Sequence, residues 1–379
     1  MIRLRRGTVV GVLDDRPGAT EVSVEIEGEA GRGPAVAIAY TSLVGPVRPG
    51  DRVILNTTAV ALGLGTGGAH FVVAVDGPSP AWPGPIAGRT MKLRYTPLQV
   101  QVRVAEEEDS PHRAALEGSA GLEGVPVVWV PLHSMVAPAV AGARAAGADR
   151  VSYVMTDNAA LPAPLSRVAA RLRREGLLDA VVTAGQAFGG DLEAVNVFTG
   201  LLAARHAARA QVIVAGDGPG NVGTNTTWGA SDIESAMVLN AAGILGGRPV
   251  AALRVSFADV RERHRGVSHH SLTALARVVL VPVHVAVPTV EDASRRELLW
   301  SSLREARLDE RHQLVEVSGR VALDLLARRG VAAESMGRGV ETDPEFFEAA
   351  GAAGVLAGRM AAGDSRWRAE QGSGQSPAG

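Results

Sequence analysis

The sequence predicts an α/β fold: a mostly parallel, doubly wound (Rossmann-like) sheet preceded by a small N-terminal β-barrel domain. Three observations carry that expectation. Residues 1–76 read as short β-branched segments with turn residues between them, and 77–89 form a stretch rich in Pro and Gly. From Val125 onward, apolar runs alternate with Ala-, Leu- and Arg-rich stretches of helical length. Continuous apolar strands separated by helices mean a parallel sheet covered on both faces.

The barrel strands are expected at Thr8 to Leu13, Glu21 to Glu27, Ala35 to Tyr40, Arg52 to Asn56 and His70 to Val75. Pro49-Gly50-Asp51 supplies a tight turn, because Pro presets φ and Gly accepts positive φ. The Pro/Gly stretch at 77–89 extends rather than packs, so it is expected to be an interdomain linker. Met91 to Val104 then reads as a bridging strand interrupted at Pro97.

An α/β domain is expected over 90–363. Its strands are placed at Val127 to Pro131, Val151 to Thr156, Ala180 to Ala184, Gln211 to Ala215, Val250 to Ser256, Val278 to Val287 and Leu314 to Val317. Helices are placed between them, at Ala137 to Ala146, Leu165 to Glu175, Leu192 to Arg209, Ile233 to Ala242 and Arg295 to Ala306. Right-handed crossovers put every strand-to-helix loop along one edge of such a sheet. The polar stretch 364–379 is expected to be disordered.

Composition narrows the function. With 38 basic and 40 acidic residues the formal net charge is -2, so no overall field attracts nucleic acid or an anionic membrane, and neither partner is expected. The absence of cysteine removes disulfides, thiolate metal sites and cysteine nucleophiles together. The start of the chain lacks the apolar run of a signal peptide and no apolar stretch reaches roughly 18 residues, so a cytoplasmic location is expected. All but one of the basic residues are Arg, the exception being Lys92. That lysine reads either as a residue reaching across the domain junction or as an ordinary edge-strand charge.

Four polar loops leave the carboxyl ends of the expected strands, where open α/β sheets hold their ligands. Ala215 to Gly229 follows the strand Gln211 to Ala215 and contains Gly218, Gly220, Asn221, Gly223, Thr224, Thr226 and Thr227. Backbone N–H groups beside glycines and threonine hydroxyls suit a phosphate or another anion, while tight packing explains the same glycines without a ligand. The spacing G-x-G-x-x-G is present, but the next helix is expected to open at a capping box over Ser231 to Glu234. That offset, and the lack of a following acidic residue, argue against a dinucleotide.

Gly185 to Asn196 contains Asp191 and Glu193, which read as helix-terminus acids or as a metal ligand or general base. Arg261 to Ser271 carries Arg263, His264, Arg265, His269 and His270, three of the nine histidines. A neutral imidazole there serves as a base; adjacent helical residues diverge by about 100°, which does not suit one metal. Asp157, in Thr156-Asp157-Asn158, reads equally as a ligand contact or an Asx-turn. His133-Ser134 offers a base and a hydroxyl, although neighbours in sequence rarely form a catalytic pair.

Arg52 to Thr58 with the Gly-rich stretch through His70, Met91 to Gln99, Tyr153 to Pro162, Ala184 to Asn196, Gly216 to Gly229 and Arg263 to Ser271 together resemble an uncharacterised bacterial domain-of-unknown-function family (DUF 3866 type). The resemblance covers most of the chain and implies a shared fold without an activity.

The function expected from the residues is binding of a small phosphorylated or nucleotide-like metabolite. In an enzyme, His264, His269 or Asp191 would act on protons, Gly218, Gly220, Asn221, Gly223, Thr224, Thr226, Thr227 and Asp157 would contact the ligand, and Arg263 or Arg265 would neutralise charge. A non-catalytic regulatory protein and a structural role for the same loops are the alternatives. The sequence identifies no cofactor or metal, and it leaves homo-oligomer formation open.

Overall fold

A computed structural model of the chain describes residues 1–29, 31, 33–65, 67–77, 84 and 87–364. The expected linker falls largely outside the described residues, as does all of the expected tail after Asp364. The chain forms two compact units, Met1–Arg103 and Val104–Gly379.

In the first unit five strands close a barrel in the order β1-β2-β3-β5-β4: β1 (Leu4–Arg16), β2 (Ala19–Ile26), β3 (Ala35–Tyr40), β4 (Arg52–Asn56) and β5 (His70–Val75). Closure removes the free strand edges. Alternate residues point inward, so Val9, Val22, Val24, Ala37, Ala39, Val53, Leu55 and Val72 form the barrel core. Gly7 is required where β1 approaches β2, since a Cβ there would lie 2.7 Å from the Glu25 carbonyl oxygen. The expected bridging strand is instead a hairpin, β6 (Thr90–Lys92) against β7 (Val100–Val102). Leu93 and Tyr95, both at positive φ, turn the chain back just before Pro97. Lys92 is 1% exposed, so it is not the solvated edge charge expected of it.

The second unit is an eight-stranded, all-parallel sheet in the order β11-β10-β9-β12-β8-β13-β16-β17. Its strands are β8 (Pro126–Trp129), β9 (Val151–Thr156), β10 (Ala180–Thr183), β11 (Leu192–Glu193), β12 (Val212–Asp217), β13 (Arg248–Ala252), β16 (His284–Pro288) and β17 (Gln313–Val317). Side chains alternate between two cores. Val128, Tyr153, Met155, Val212, Val214 and Val250 face one layer of helices. Val127, Trp129, Val154, Ile213, Ala215 and Ala251 face the other.

Three expected elements take a different form, each for a local reason. Leu192–Glu193 is a strand beside β10, and the helix starts only at Val197, where the Asn196 side chain accepts from the Phe198 and Thr199 N–H groups in a capping box. The run before β16 is helical up to Val278. The buried Asn240 side chain then clamps the connection, donating to the Val278 carbonyl and accepting from the Leu280 N–H. The strand expected to run to Ser256 ends at Ala252, and Val255–Ser256 (β14) pairs antiparallel with Gly266–Val267 (β15).

Two helices that the sequence pattern does not announce, Arg320–Arg328 and Pro344–Ala361, complete the first layer. Pro344–Ala361 packs on the helix Val136–Ala145 through glycines. A Cβ at Gly354 would lie 2.0 Å from the Ala139 carbonyl oxygen, and one at Gly142 would lie 2.3 Å from that of Gly351. Because the obstacles are backbone atoms, a larger residue must push the helices apart. Gly354→Val is therefore expected to cost about 1–3 kcal/mol or more. A lower urea midpoint with an unchanged slope would record that loss, whereas a parental midpoint would mean that the helices separate freely.

Candidate functional site

The chain leaves β8 and β12, which are neighbours, in opposite directions. After β8 it crosses to β9 through the helix Val136–Ala145, and after β12 it crosses to β13 through Ser231–Ser235 and Met237–Ile244. The two connections pack in different layers, which opens a crevice at the carboxyl ends of β8 and β12. Such a switch point is where doubly wound sheets hold ligands.

A cleft of about 220 Å³ lies there. Leu132, just after β8, and Asn221 to Thr224, after β12, form one side. Arg254, after β13, and Arg261, Arg263, His264 and His270 form the other, with Asp232 and Met336 completing the lining. The β14–β15 pair delivers Arg261, Arg263 and His264, because it brackets residues 257–265, while Arg254 and His270 flank it.

A single carboxylate organises the cationic side. Asp259 is 5% exposed and accepts from Arg261 at 2.7 and 2.9 Å and from Arg254 at 3.3 Å, and Arg338 lies 3.8 Å away. The Arg261 hydrogen bonds, chiefly, hold its carboxyl well below the usual carboxylate range. Arg338 also pairs with buried Asp343, which accepts from Ser256 Oγ at 2.7 Å. Arg263 has no acidic partner among the described residues, and its buried Nε has no hydrogen-bond partner.

Burial governs the titratable groups. It lowers His264 to about 3 and His269 to about 4, aided by Arg254 and Arg261 for the first and by His270 and Arg263 for the second. His270 is lowered by burial first and then by Arg254, Arg263 and Arg261, while the Thr226 backbone carbonyl opposes the shift. The three rings cluster, with His269 and His270 centroids 3.9 Å apart. Burial also raises Asp232 to about 6, against the pull of Arg254, and raises Asp217 to about 6, against hydrogen bonds from Thr156 and Asn158. The cleft thus offers guanidinium charge beside neutral imidazoles.

The two most polar loops do meet. His270 lines the cleft with Asn221, Gly223 and Thr224, and a Cβ at Gly223 would touch the His270 ring at 3.5 Å. His264 and Arg263 share that cleft; its Nδ1 is 2.9 Å from Ser268 Oγ. His269 stacks behind His270 without lining the cleft, and Arg265 is exposed outside it.

In the Gly/Thr loop the Thr224 and Thr226 hydroxyls are engaged within the loop itself, while Asn221, Gly223 and Thr224 line the cleft. Thr224 and Thr226 hydroxyls bond to each other at 2.8 Å, and the Thr226 and Gly229 N–H groups donate to them. Thr227 is exposed and lies outside the cleft lining. Gly218 is glycine because a Cβ would sit 2.6 Å from the Ala160 carbonyl oxygen, and Gly220 turns the chain at φ 96°. Asn221 braces the loop, donating to Asp217 Oδ2, Ser231 Oγ and the Pro131 carbonyl. Ser231 accepts from Val222 N–H rather than capping its own helix.

Asp191 stands apart from the histidines. As β11 runs parallel to β10, the residue before it lies beside Val181, and Asp191 accepts from the Val181 N–H and pairs with Arg173. Asp157 caps the neighbouring turn by accepting from Gln186 N–H at 2.7 Å. Among the described residues no group of three or more His, Asp or Glu is placed to hold a metal ion. Sequence reasoning missed Asp232, Arg254 and Asp259, which sit singly among apolar or helical residues; only their rarity in buried segments could have marked them.

His133 and Ser134 do not pair. His133 Nε2 is 2.8 Å from Ser166 Oγ, its Nδ1 faces Tyr153 Oη and the Asp217 carbonyl, and Ser134 bonds to Ser335. Burial lowers His133 to about 4 from 6.5. Between those values the unfolded chain binds a proton that the native state refuses. The stabilisation is therefore complete above pH 6.5 and is lost as pH falls toward 4, at up to about 1.4 kcal/mol per pH unit. Asp217 and Asp232, raised to about 6, act with the opposite sign in the parent and the variant alike. Urea midpoints between pH 6.5 and 4.5 should consequently fall less steeply for His133→Gln than for the parent; equal slopes would contradict the assignment.

The fold and the cleft define a class: an α/β protein with an arginine-lined crevice at the switch point of a parallel sheet, accompanied by a closed five-stranded barrel. Within that class, the chain belongs to the family described as protein of unknown function (DUF3866), whose pattern matches residues 36–354. No curated protein and no solved structure matches it significantly. No helix of the described residues is long and apolar enough to cross a membrane.

Proposed function

We propose that the cleft at the switch point binds a small phosphorylated metabolite, with Arg254, Arg261 and Arg263 supplying the counter-charge. The observation that carries this reading is Arg263, a guanidinium lining the cleft with no acidic partner among the described residues and a buried Nε without a hydrogen-bond partner. A buried, unsatisfied cationic donor is costly unless something accepts from it. Planar guanidinium forks match phosphate oxygens.

The volume of about 220 Å³ falls below the roughly 300 Å³ at which pockets for drug-sized ligands begin. That favours a phosphorylated skeleton of a few carbons; a nucleotide would leave its base outside the cleft. Leu132 and Met336 add an apolar wall for the skeleton. The cytoplasm, where phosphorylated metabolites occur, is the compartment this reading requires.

Thermal-shift measurements with inorganic phosphate, small phosphomonoesters and nucleotides test the reading, since a ligand at 100 times its Kd adds about 2.7 kcal/mol. Small phosphomonoesters should raise the melting temperature most. In calorimetry, Arg263→Gln should weaken the best of them by about tenfold or more, as expected for one charge-assisted hydrogen bond. No shift with any phosphate, or an Arg263→Gln variant that binds like the parent, would refute it.

A further inference from the structure

We propose that the cleft takes up its anion together with one proton, and that His270, backed by Asp232, is the residue that binds this proton and donates it in a hydrogen bond to the ligand. The inference rests on the anion-binding reading above and adds a residue that donates a hydrogen bond to the ligand as an imidazolium.

The geometry is that of a half-completed ion pair. His270 is 3% exposed and lines the cleft, and its buried Nε2 has no hydrogen-bond partner among the described residues. Its Nδ1 lies 3.8 Å from Asp232 Oδ1, within ion-pair range but beyond a hydrogen bond. Asp232 is itself 4% exposed. An imidazole with a carboxylate on one nitrogen and an unmet buried nitrogen on the other is arranged to accept a proton once an acceptor arrives.

The groups around the ring say why the proton waits for the ligand. Asp232 faces it from the helix Ser231–Ser235, and the Thr226 carbonyl faces it from the loop after β12. Against them stand Arg254 from the end of β13, Arg261 and Arg263 from the loop before β15, and the rings of His264 and His269. Without a ligand, burial first and the guanidinium charges second disfavour an imidazolium. A dianion among them cancels that repulsion and accepts from Nε2–H. One solvent proton is then bound by the lone pair of a ring nitrogen, forming one N–H bond, and no bond of the ligand breaks. Such a proton, held against an anionic oxygen, is placed where a general acid would act on a phosphate ester.

Calorimetry of the full chain with sulfate, a dianion that does not itself titrate near neutrality, tests this in buffers of different ionisation enthalpy. Near pH 7 the parent should take up about half a proton or more per sulfate, and its affinity should weaken as pH rises, by at most about tenfold per pH unit. His270→Gln should bind sulfate about tenfold more weakly and with uptake near zero, while His269→Gln, at a residue outside the lining, keeps the uptake. In the parent, the His270 NMR signal, assigned through the parent's own backbone, should move toward the imidazolium position as sulfate is added, a readout that needs no variant. Uptake that persists in His270→Gln, or a His270 signal that stays neutral under saturating sulfate, overturns the inference while leaving anion binding intact. A parent that binds no sulfate overturns both.

Discussion

The candidate site depends on the carboxylate of Asp259. Three guanidiniums from different stretches of chain converge on it: Arg254 beyond β13, Arg261 from its own loop, and Arg338 from the hairpin near the C terminus. Like charges gathered in a buried place repel, and only an anion among them makes the arrangement tolerable. The backbone of Asp259 is fixed in turn by Ser256 Oγ, which accepts from its N–H at 3.1 Å and donates to Asp343. Because this cluster has its own internal anion, Arg254 and Arg261 are held in position, whereas Arg263 has no acidic partner among the described residues. Pre-positioned cations do not have to be ordered at the moment of binding.

The surrounding titration follows from the same burial. Removing a side chain from water disfavours its charged form, so imidazoles fall and carboxylates rise. His264 and His269 are neutral and Asp232 and Asp217 titrate at about 6. Near neutral pH the charge that dominates the cleft is therefore that of arginine, which burial does not neutralise.

The barrel and the parallel sheet were legible because their signal is local. Three of the five barrel strands and the strand Val151–Thr156 fall within the bounds that alternation and turn residues give. The helix Pro344–Ala361 was not legible, for the opposite reason. Its Ala and Gly residues carry little helical signature, and their meaning lies in the backbone they approach. The site was legible in part. Clustered histidines marked one segment that lines the cleft, and the Gly/Thr loop lines it through Gly223 and Thr224, although its hydroxyls satisfy one another. Asp232, Arg254 and Asp259 gain their roles from contacts made across the fold, which no single stretch of sequence displays. Asp191 looked like a helix acid only because the strand Leu192–Glu193 is too short to be read.

The glycine contact between Val136–Ala145 and Pro344–Ala361 bears on the cleft from a distance. The first helix begins just beyond Leu132, and the second begins just after Asp343, which steadies Ser256 and Arg338. Where side chains meet side chains, rotamers can absorb a displacement; where backbone rests on backbone, there is nothing soft to yield. The two helices therefore act as a stiff spacer that sets the distance between the walls of the cleft. The width of the cleft is calibrated by residues that do not line it.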